Sequence, residues 1–166
     1  MAVVVVLAAV VIAVAAETMK PPKAGPRVLT DRQYVKLAND VCAKTLPDLR
    51  PADTGPFGKT ATPAQTADQI DHAAGGLDAL ADRLAALPAS AVDRPHLTTW
   101  LDGWHRYSDL GRQYAQFLRL HGNANPGRLL SDSVGEAKSV DAFALANGLS
   151  GCTFLATPQP DPSNGF

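Results

Sequence analysis

Residues 62–87 read TPAQTADQIDHAAGGLDALADRLAAL, and this stretch carries the clearest helix signature in the chain. Thr62 is a favourable N-cap residue, Pro63 suits the first helical turn, and Gln65 stands three residues after the cap, where it completes a capping box. The apolar residues that follow recur every three or four positions and form one stripe: Ile70, Ala73, Ala74, Leu77, Leu80, Ala81, Leu84 and Leu87. The pattern predicts an amphipathic helix that buries this stripe.

The remaining faces of this helix lead to two further predictions. Four aspartates project away from the stripe, and we expect them on the solvated face: Asp68, Asp71, Asp78 and Asp82. The pair Gly75-Gly76 lies in the middle of the helix, where two glycines cost about 1–2 kcal/mol relative to two alanines. We therefore expect a bend or a close contact with another helix at this point.

Three more segments show helical periodicity, at about 30–45, 95–121 and 133–147. Gly122 and Gly148 stand where the second and third of these should stop. Four amphipathic helices with mostly short links predict an all-α fold, an antiparallel four-helix-type bundle over residues 30–155. Residues 46–61, LPDLRPADTGPFGKTA, contain three prolines and two glycines and are predicted to form a long loop.

The composition narrows the possible functions. The chain has 166 residues, of which 46% are hydrophobic, and its net charge is −1. That apolar fraction suffices for a buried core, so disorder of the whole chain is disfavoured. Nucleic-acid binding is also disfavoured, because there is no excess of positive charge to neutralise phosphates.

The N-terminus is apolar without interruption. Residues 1–16 read MAVVVVLAAVVIAVAA, which predicts a signal-anchor or a signal peptide, and residues 17–29 form a Pro-rich stalk. Sixteen residues of helix span about 24 Å, less than the roughly 30 Å of a bilayer core. We expect a membrane anchor with the domain facing outside the cell; the alternative is secretion after cleavage near Ala15. Residues 156–166 are predicted to be a disordered tail.

The charges around this segment conflict with export. Lys20 and Lys23 follow the apolar run and none precedes it, whereas signal peptides carry their basic residues first. By the positive-inside rule this arrangement would keep the domain cytoplasmic. We expect that a basic region lies upstream of Met1, which would remove the conflict.

Cys42 and Cys152 are the only cysteines. An even number behind an export-like N-terminus favours one structural disulfide, which would join the first helix to the end of the last. Two free buried thiols are the main alternative. A redox-active pair is disfavoured, because the chain has no Cys-x-x-Cys spacing.

No residue pattern typical of an enzyme or a metal site is present. The four histidines form no His-x₃-His or Glu-x-x-His pair, and Asp68 with His72 is interpreted as a surface pair. There is no nucleophile elbow and no phosphate-binding loop, since Gly58-Lys59-Thr60 lacks the required upstream spacing. We therefore predict a protein that is not an enzyme and has no cofactor.

The most distinctive residues are aromatic and lie on the predicted helix 95–121. They are Trp100, Trp104, Tyr107 and Tyr114, on one side of that helix. Core packing against the Ala-rich helix is the simpler interpretation. The alternative is a groove for an apolar ligand or a partner helix, lined by these rings.

Two short motifs resemble a known group of proteins. Residues 38–42 read Ala-Asn-Asp-Val-Cys, and residues 148–152 read Gly-Leu-Ser-Gly-Cys. An early Ala-Asn-x-x-Cys and a late Gly-Leu-x-x-Cys resemble small exported or membrane-anchored helical proteins of actinobacteria, including mycobacterial ones. The resemblance implies a disulfide-closed extracytoplasmic bundle and carries no activity.

These observations lead to two hypotheses about function. The first is a membrane-tethered, non-enzymatic interaction or accessory module of the cell envelope, with residues 1–16 contacting the membrane and an envelope protein complex or lipid as partner. The second is a carrier of an apolar ligand or lipid in a groove lined by Trp100, Trp104 and Tyr107.

Overall fold

The computed structural model describes residues 26–49 and 61–155. They form four α-helices and one 3₁₀ turn: α1 (Arg32–Leu49), α2 (Pro63–Ala85), α3 (Arg94–His121), α4 (Arg128–Ala146) and the turn Ser150–Cys152. Within these two ranges there is no strand, so the predicted all-α class is confirmed there. The apolar segment 1–16, stalk residues 17–25, loop residues 50–60 and the tail 156–166 lie outside the described residues.

The helices pack as an up-and-down bundle in which α2 and α3 share the largest interface. Arg119 near the end of α3 pairs with Asp68 near the start of α2, and His105 pairs with Asp78 further along, so these two helices run antiparallel. On its other side α3 packs against α4. Helix α1 packs against α2 and against the 3₁₀ turn.

The start of α2 has the predicted capping box. The Thr62 hydroxyl oxygen accepts the Gln65 backbone N–H at 3.2 Å, and the Gln65 side-chain oxygen accepts the Thr62 N–H at 2.9 Å. The expected close contact at the glycine pair is also present, because a Cβ on Gly76 would overlap the Leu49 side chain of α1. Gly75 has open space around it.

One large core joins all four helices. Its fully buried members come from all four helices and the end of the domain: Tyr34, Ala38, Cys42, Leu46, Leu80, Ala81, Leu84, Trp104, Ala144, Leu149 and Cys152. A smaller cluster of Ala67, Ala115 and Leu118 fills the α2–α3 interface towards the other end of that helix pair.

Two predicted helix boundaries are wrong. Helix α1 continues through Pro47 to Leu49 instead of ending near residue 45. Proline in a helix interior costs about 3 kcal/mol, but the continued turn buries Leu46, and burial of a leucine contributes about 1.5–3 kcal/mol. Helix α4 begins at Arg128, five residues early, because Gly127 adopts a positive φ of 58° and turns the chain directly into the helix.

Candidate functional site

The two tryptophans of α3 form the centre of an aromatic cluster. Trp104 is fully buried and Trp100 is 3% exposed. Their rings meet edge to face with centroids 6.1 Å apart, and Phe143 of α4 stacks on Trp100 at 5.5 Å. Such contacts are typical of core packing.

The two indole N–H groups have different environments. The Trp100 N–H donates to the Val140 backbone oxygen of α4 at 3.1 Å. The Trp104 N–H is buried and has no hydrogen-bond partner in the part of the chain that the structure describes. Buried polar groups are nearly always paired, so the Trp104 N–H is an exception.

Phe154 covers this cluster from the C-terminal end of the domain. Its ring meets Trp104 edge-on at 6.4 Å and Tyr107 at 5.1 Å. The segment is held by Asp141, whose two carboxylate oxygens accept the backbone N–H groups of Phe154 at 2.7 Å and Leu155 at 2.8 Å. Trp104 and Tyr107, two of the predicted groove residues, thus lie directly beneath Phe154.

The phenol of Tyr107 has a raised pKa. Burial raises the pKa of its phenol to about 12, and the negative charge of Asp141 acts in the same direction. The phenol is therefore uncharged at neutral pH, next to a carboxylate that is fully buried.

Tyr114, the fourth predicted aromatic, lies apart from the others. It is half-buried and packs against the smaller cluster, which contains Ala67, Ala115 and Leu118. The structure therefore brings together Trp100, Trp104 and Tyr107 but not Tyr114.

Cys42 and Cys152 form a disulfide with their Cα atoms 5.0 Å apart. Both cysteines are fully buried. One turn before Cys42, the side chain of Asn39 donates to the Gly148 carbonyl and accepts the Gly151 N–H, both at 2.8 Å. The early and late motifs of the sequence are thus in contact, joined by the disulfide and by the two hydrogen bonds of Asn39.

The segment that leads into α1 is fixed to the end of α4. The side-chain oxygen of Asn147 accepts the N–H groups of Val28 and Leu29, each at 2.8 Å, and its amide donates to the Phe143 carbonyl. Leu29 is 4% exposed. Among the described residues, the first backbone hydrogen bond to the bundle is therefore at Val28, within the stretch assigned to the stalk.

A buried carboxylate holds the same segment from the other side. Asp93, just before α3, accepts the N–H groups of Thr30 and Asp31 and the Thr30 hydroxyl. The Asp31 carboxylate in turn accepts the N–H of Ser90, in the loop before α3, at 3.0 Å. Burial alone would raise the pKa of Asp93, but these hydrogen bonds outweigh it and the pKa is lowered.

The prediction that Asp78 faces solvent is wrong. Its carboxylate accepts hydrogen bonds from Ser108 and Arg112 of α3, and His105 Nδ1 lies 3.1 Å away. Burial opposes its ionisation, yet the bonds from Ser108, Arg112 and His105 lower its pKa. A helix-period pattern assigns a residue to a face but does not show that a neighbouring helix brings cationic and hydroxyl groups to that face.

This polar cluster does not have the geometry of a catalytic triad. Ser108 and His105 both contact the same Asp78 oxygen, so the serine hydroxyl points to the carboxylate and not to the imidazole. Ser108 is also 1% exposed. The cluster joins α2 to α3, as Arg119 does with Asp68 and Asp71.

No contact was predicted from the sequence for four side chains that hold distant backbone in place: Asn39, Asp93, Asp141 and Asn147. Each is a short polar side chain at or near a helix end or on a packed face, and each binds backbone that is distant in sequence.

Within residues 26–49 and 61–155, no three His, Cys, Asp or Glu side chains are grouped as a metal site would need. No protein-family model, curated protein or solved structure matches the chain.

Proposed function

We propose that this protein is a membrane-tethered helical domain on the outer side of the cell membrane, where it acts as a non-enzymatic interaction or accessory module of the envelope. The observation that carries the proposal is the fully buried disulfide between Cys42 and Cys152. Disulfides persist in oxidising compartments and are rare in the cytosol. A chain with such a bond is suited to the extracytoplasmic side.

The surface of the bundle supports a tether outside the bundle itself. None of the described helices is long and apolar enough to cross a bilayer. The only large hydrophobic side chains exposed among the described residues are Val92 and Leu120, which lie near opposite ends of α3. In this proposal the membrane contact is made by residues 1–16, whose sequence is apolar without interruption.

The docking of Val28 limits how far the bundle can lie from the membrane. Eleven residues, 17–27, connect the apolar segment to Val28, whose backbone N–H is bonded to Asn147. At full extension they reach about 36–40 Å. A partner of this module would accordingly be an envelope protein or a lipid close to the bilayer surface, and the polar exterior favours contacts through hydrogen bonds and charges.

The proposal is tested by intact mass of the natural protein in membrane and soluble fractions, with alkylation under non-reducing conditions. We expect a full-length, membrane-bound species that takes up no alkylating reagent. A matched variant with Val6→Arg and Val11→Arg should lose membrane retention while keeping the disulfide. Recovery of only a soluble species that lacks the residues up to about Ala15 would support secretion instead of a tether. Two alkylated thiols in the untreated protein would overturn the extracytoplasmic assignment.

A further inference from the structure

The segment before α1 joins the bundle at one defined end. Backbone N–H groups of residues 28–31 bond to Asn147, just after α4, and to Asp93, just before α3. We call this end of the bundle the tether end; it consists of residues 26–31, the loop 86–93, the first turns of α1 and α3 and the end of α4. In the proposed function it is the end nearest to the bilayer, because residues 17–27 join it to the apolar segment.

Three arginines lie on the outside of the tether end. Arg27, Arg32 and Arg94 are all exposed. The Arg94 side chain donates to the Ala89 carbonyl at 3.3 Å, which places it beside the loop 86–93. Within the described residues Arg32 and Arg94 form no ion pair, whereas three arginines farther along α3 are each paired with a carboxylate.

The two carboxylates of the tether end are bonded to backbone. Asp93 is fully buried and accepts the N–H groups of Thr30 and Asp31. The Asp31 carboxylate accepts the N–H groups of Tyr34 and Ser90, each at 3.0 Å. Both carboxylates are thus occupied by donors of the protein, and the groups that reach outward from the tether end are positively charged.

An exposed apolar side chain belongs to the same end. Val92 is 72% exposed and stands two residues before Arg94. Residues 17–27, which lead to the tether end, contain three basic residues and one acidic residue. Basic residues next to a membrane anchor are attracted to anionic lipid headgroups, and an adjacent apolar side chain can enter the boundary between headgroups and acyl chains.

We propose that the tether end is a docking surface for anionic phospholipid headgroups, so that the bundle lies with this end against the bilayer and with the far end of α3 away from it. Arg32 and Arg94 contact the headgroup phosphates, and Val92 reaches the apolar boundary below them. Each basic residue close to an anionic membrane shifts the equilibrium towards the docked state about fivefold. Because the tether keeps the bundle at a high local concentration near the lipid, a few such residues suffice. This inference deepens the proposed function and rests on its membrane tether.

The test places the full chain, labelled with ¹⁵N, in nanodiscs that contain a lipid with a gadolinium chelate on its headgroup. The chelate broadens the signals of amides that lie close to the bilayer surface. The reporters are the amides of Val92 and Leu120, near opposite ends of a helix of 28 residues that spans about 42 Å. Discs of two parts phosphatidylcholine to one part phosphatidylglycerol are compared with discs of phosphatidylcholine alone.

We expect strong broadening of the Val92 signal and little broadening of the Leu120 signal in the anionic discs. The difference between the two reporters should become much smaller in phosphatidylcholine alone. It should also become smaller in about 1 M salt, where the Debye length falls to about 3 Å.

Two double variants that remove the same charge separate this surface from the net charge of the chain. Arg32→Gln with Arg94→Gln should weaken docking about 25-fold, so that the broadening of Val92 in anionic discs falls to its level in phosphatidylcholine. Lys44→Gln with Arg128→Gln is the matched control, because both residues are exposed and lie away from the tether end, and it should leave the broadening unchanged.

The outcomes distinguish the docking surface from the tether. Equal broadening of the two reporters in anionic discs, in a chain that the discs retain, would overturn the docking surface while supporting the tether. An undiminished preference for Val92 in phosphatidylcholine alone would overturn it as well, because the contact would then not need anionic headgroups, and so would an equal loss in the two double variants. A chain that the discs do not retain would contradict the membrane tether itself, and this inference with it.

Discussion

Asp93→Asn is the substitution that best tests how the segment before α1 is held in place. Asp93 is fully buried and accepts three donors: the N–H and the hydroxyl of Thr30, and the N–H of Asp31. An asparagine keeps one acceptor oxygen and replaces the other with an amide that is itself a donor. At least one of the three donors then loses its partner inside the protein.

The expected loss of stability follows from these contacts. A buried donor left without an acceptor costs about 1–3 kcal/mol, and hydrogen bonds to a charged group are worth about 1.5–3 kcal/mol against about 1 for neutral ones. We expect Asp93→Asn to lower the free energy of unfolding by about 2–4 kcal/mol. With a urea slope of about 2 kcal/mol/M, the midpoint should fall by about 1–2 M. Asp40→Asn, at an exposed position of α1, is the control and should change the free energy by less than about 0.5 kcal/mol.

The effect should depend on pH in one direction. The pKa of Asp93 is lowered in the folded protein, so its stabilisation is complete above the pKa of about 3.9 of an unfolded aspartate. It is lost as the pH falls through the lower, folded pKa. The difference between the natural chain and Asp93→Asn should therefore be largest from pH 5 to 7 and shrink below about pH 4. Other carboxylates titrate in both proteins and cancel in the comparison.

The assay is urea unfolding followed by circular dichroism at several pH values between 2.5 and 7. A difference that stays constant down to the lowest pH would refute the assignment of the stabilisation to the ionised Asp93. A loss below about 0.5 kcal/mol at pH 7 would show that the buried hydrogen bonds of Thr30 and Asp31 do not need a carboxylate.

Two further changes test the contacts that join α1 to the 3₁₀ turn. Replacing both Cys42 and Cys152 by serine removes a bridge between residues 110 apart and should cost about 4.7 kcal/mol in urea unfolding; a loss under 1 kcal/mol would contradict the entropic account. Gly151→Ala places a Cβ 3.0 Å from the Asn39 backbone oxygen and should cost about 1–3 kcal/mol by calorimetry. Its control, Gly135→Ala in open space on α4, should stabilise by up to about 1 kcal/mol, and equal effects at the two positions would show that the Asn39 contact is unimportant.

The helices could be predicted because their signals are local. The capping box at Thr62 and the stop at Gly122 depend on residues within a few positions, and both are present in the structure. The end of α1 could not be predicted in the same way. Pro47 opposes the helix locally, and the packing of Leu46 and Leu49 that favours it is a tertiary effect.

Of the aromatic cluster, only the three members on α3 were predicted as a group. Trp100, Trp104 and Tyr107 share a helix face, which periodicity reveals. Phe154 contacts this cluster and Asp141 binds its backbone N–H, but these contacts depend on how the chain turns back after α4, and periodicity carries no information about that turn. An Asp or Asn near a helix end is normally interpreted as a cap of its own helix, whereas Asp93 and Asn147 bind segments 63 and 118 residues away.

The two cysteine motifs can be explained by stereochemistry alone, without reference to any activity. Asn39 lies one turn before Cys42, which brings its amide to the turn that carries Cys152, where it pairs with Gly148 and Gly151. Gly148 has a φ of 75°, and a Cβ on Gly151 would lie only 3.0 Å from the Asn39 backbone oxygen. Asn39, the two glycines and the two cysteines thus serve to close a helix against a turn by a disulfide. A bundle could share both motifs for this reason alone and bind something quite different, so the motifs indicate how the fold is closed and carry no information about function.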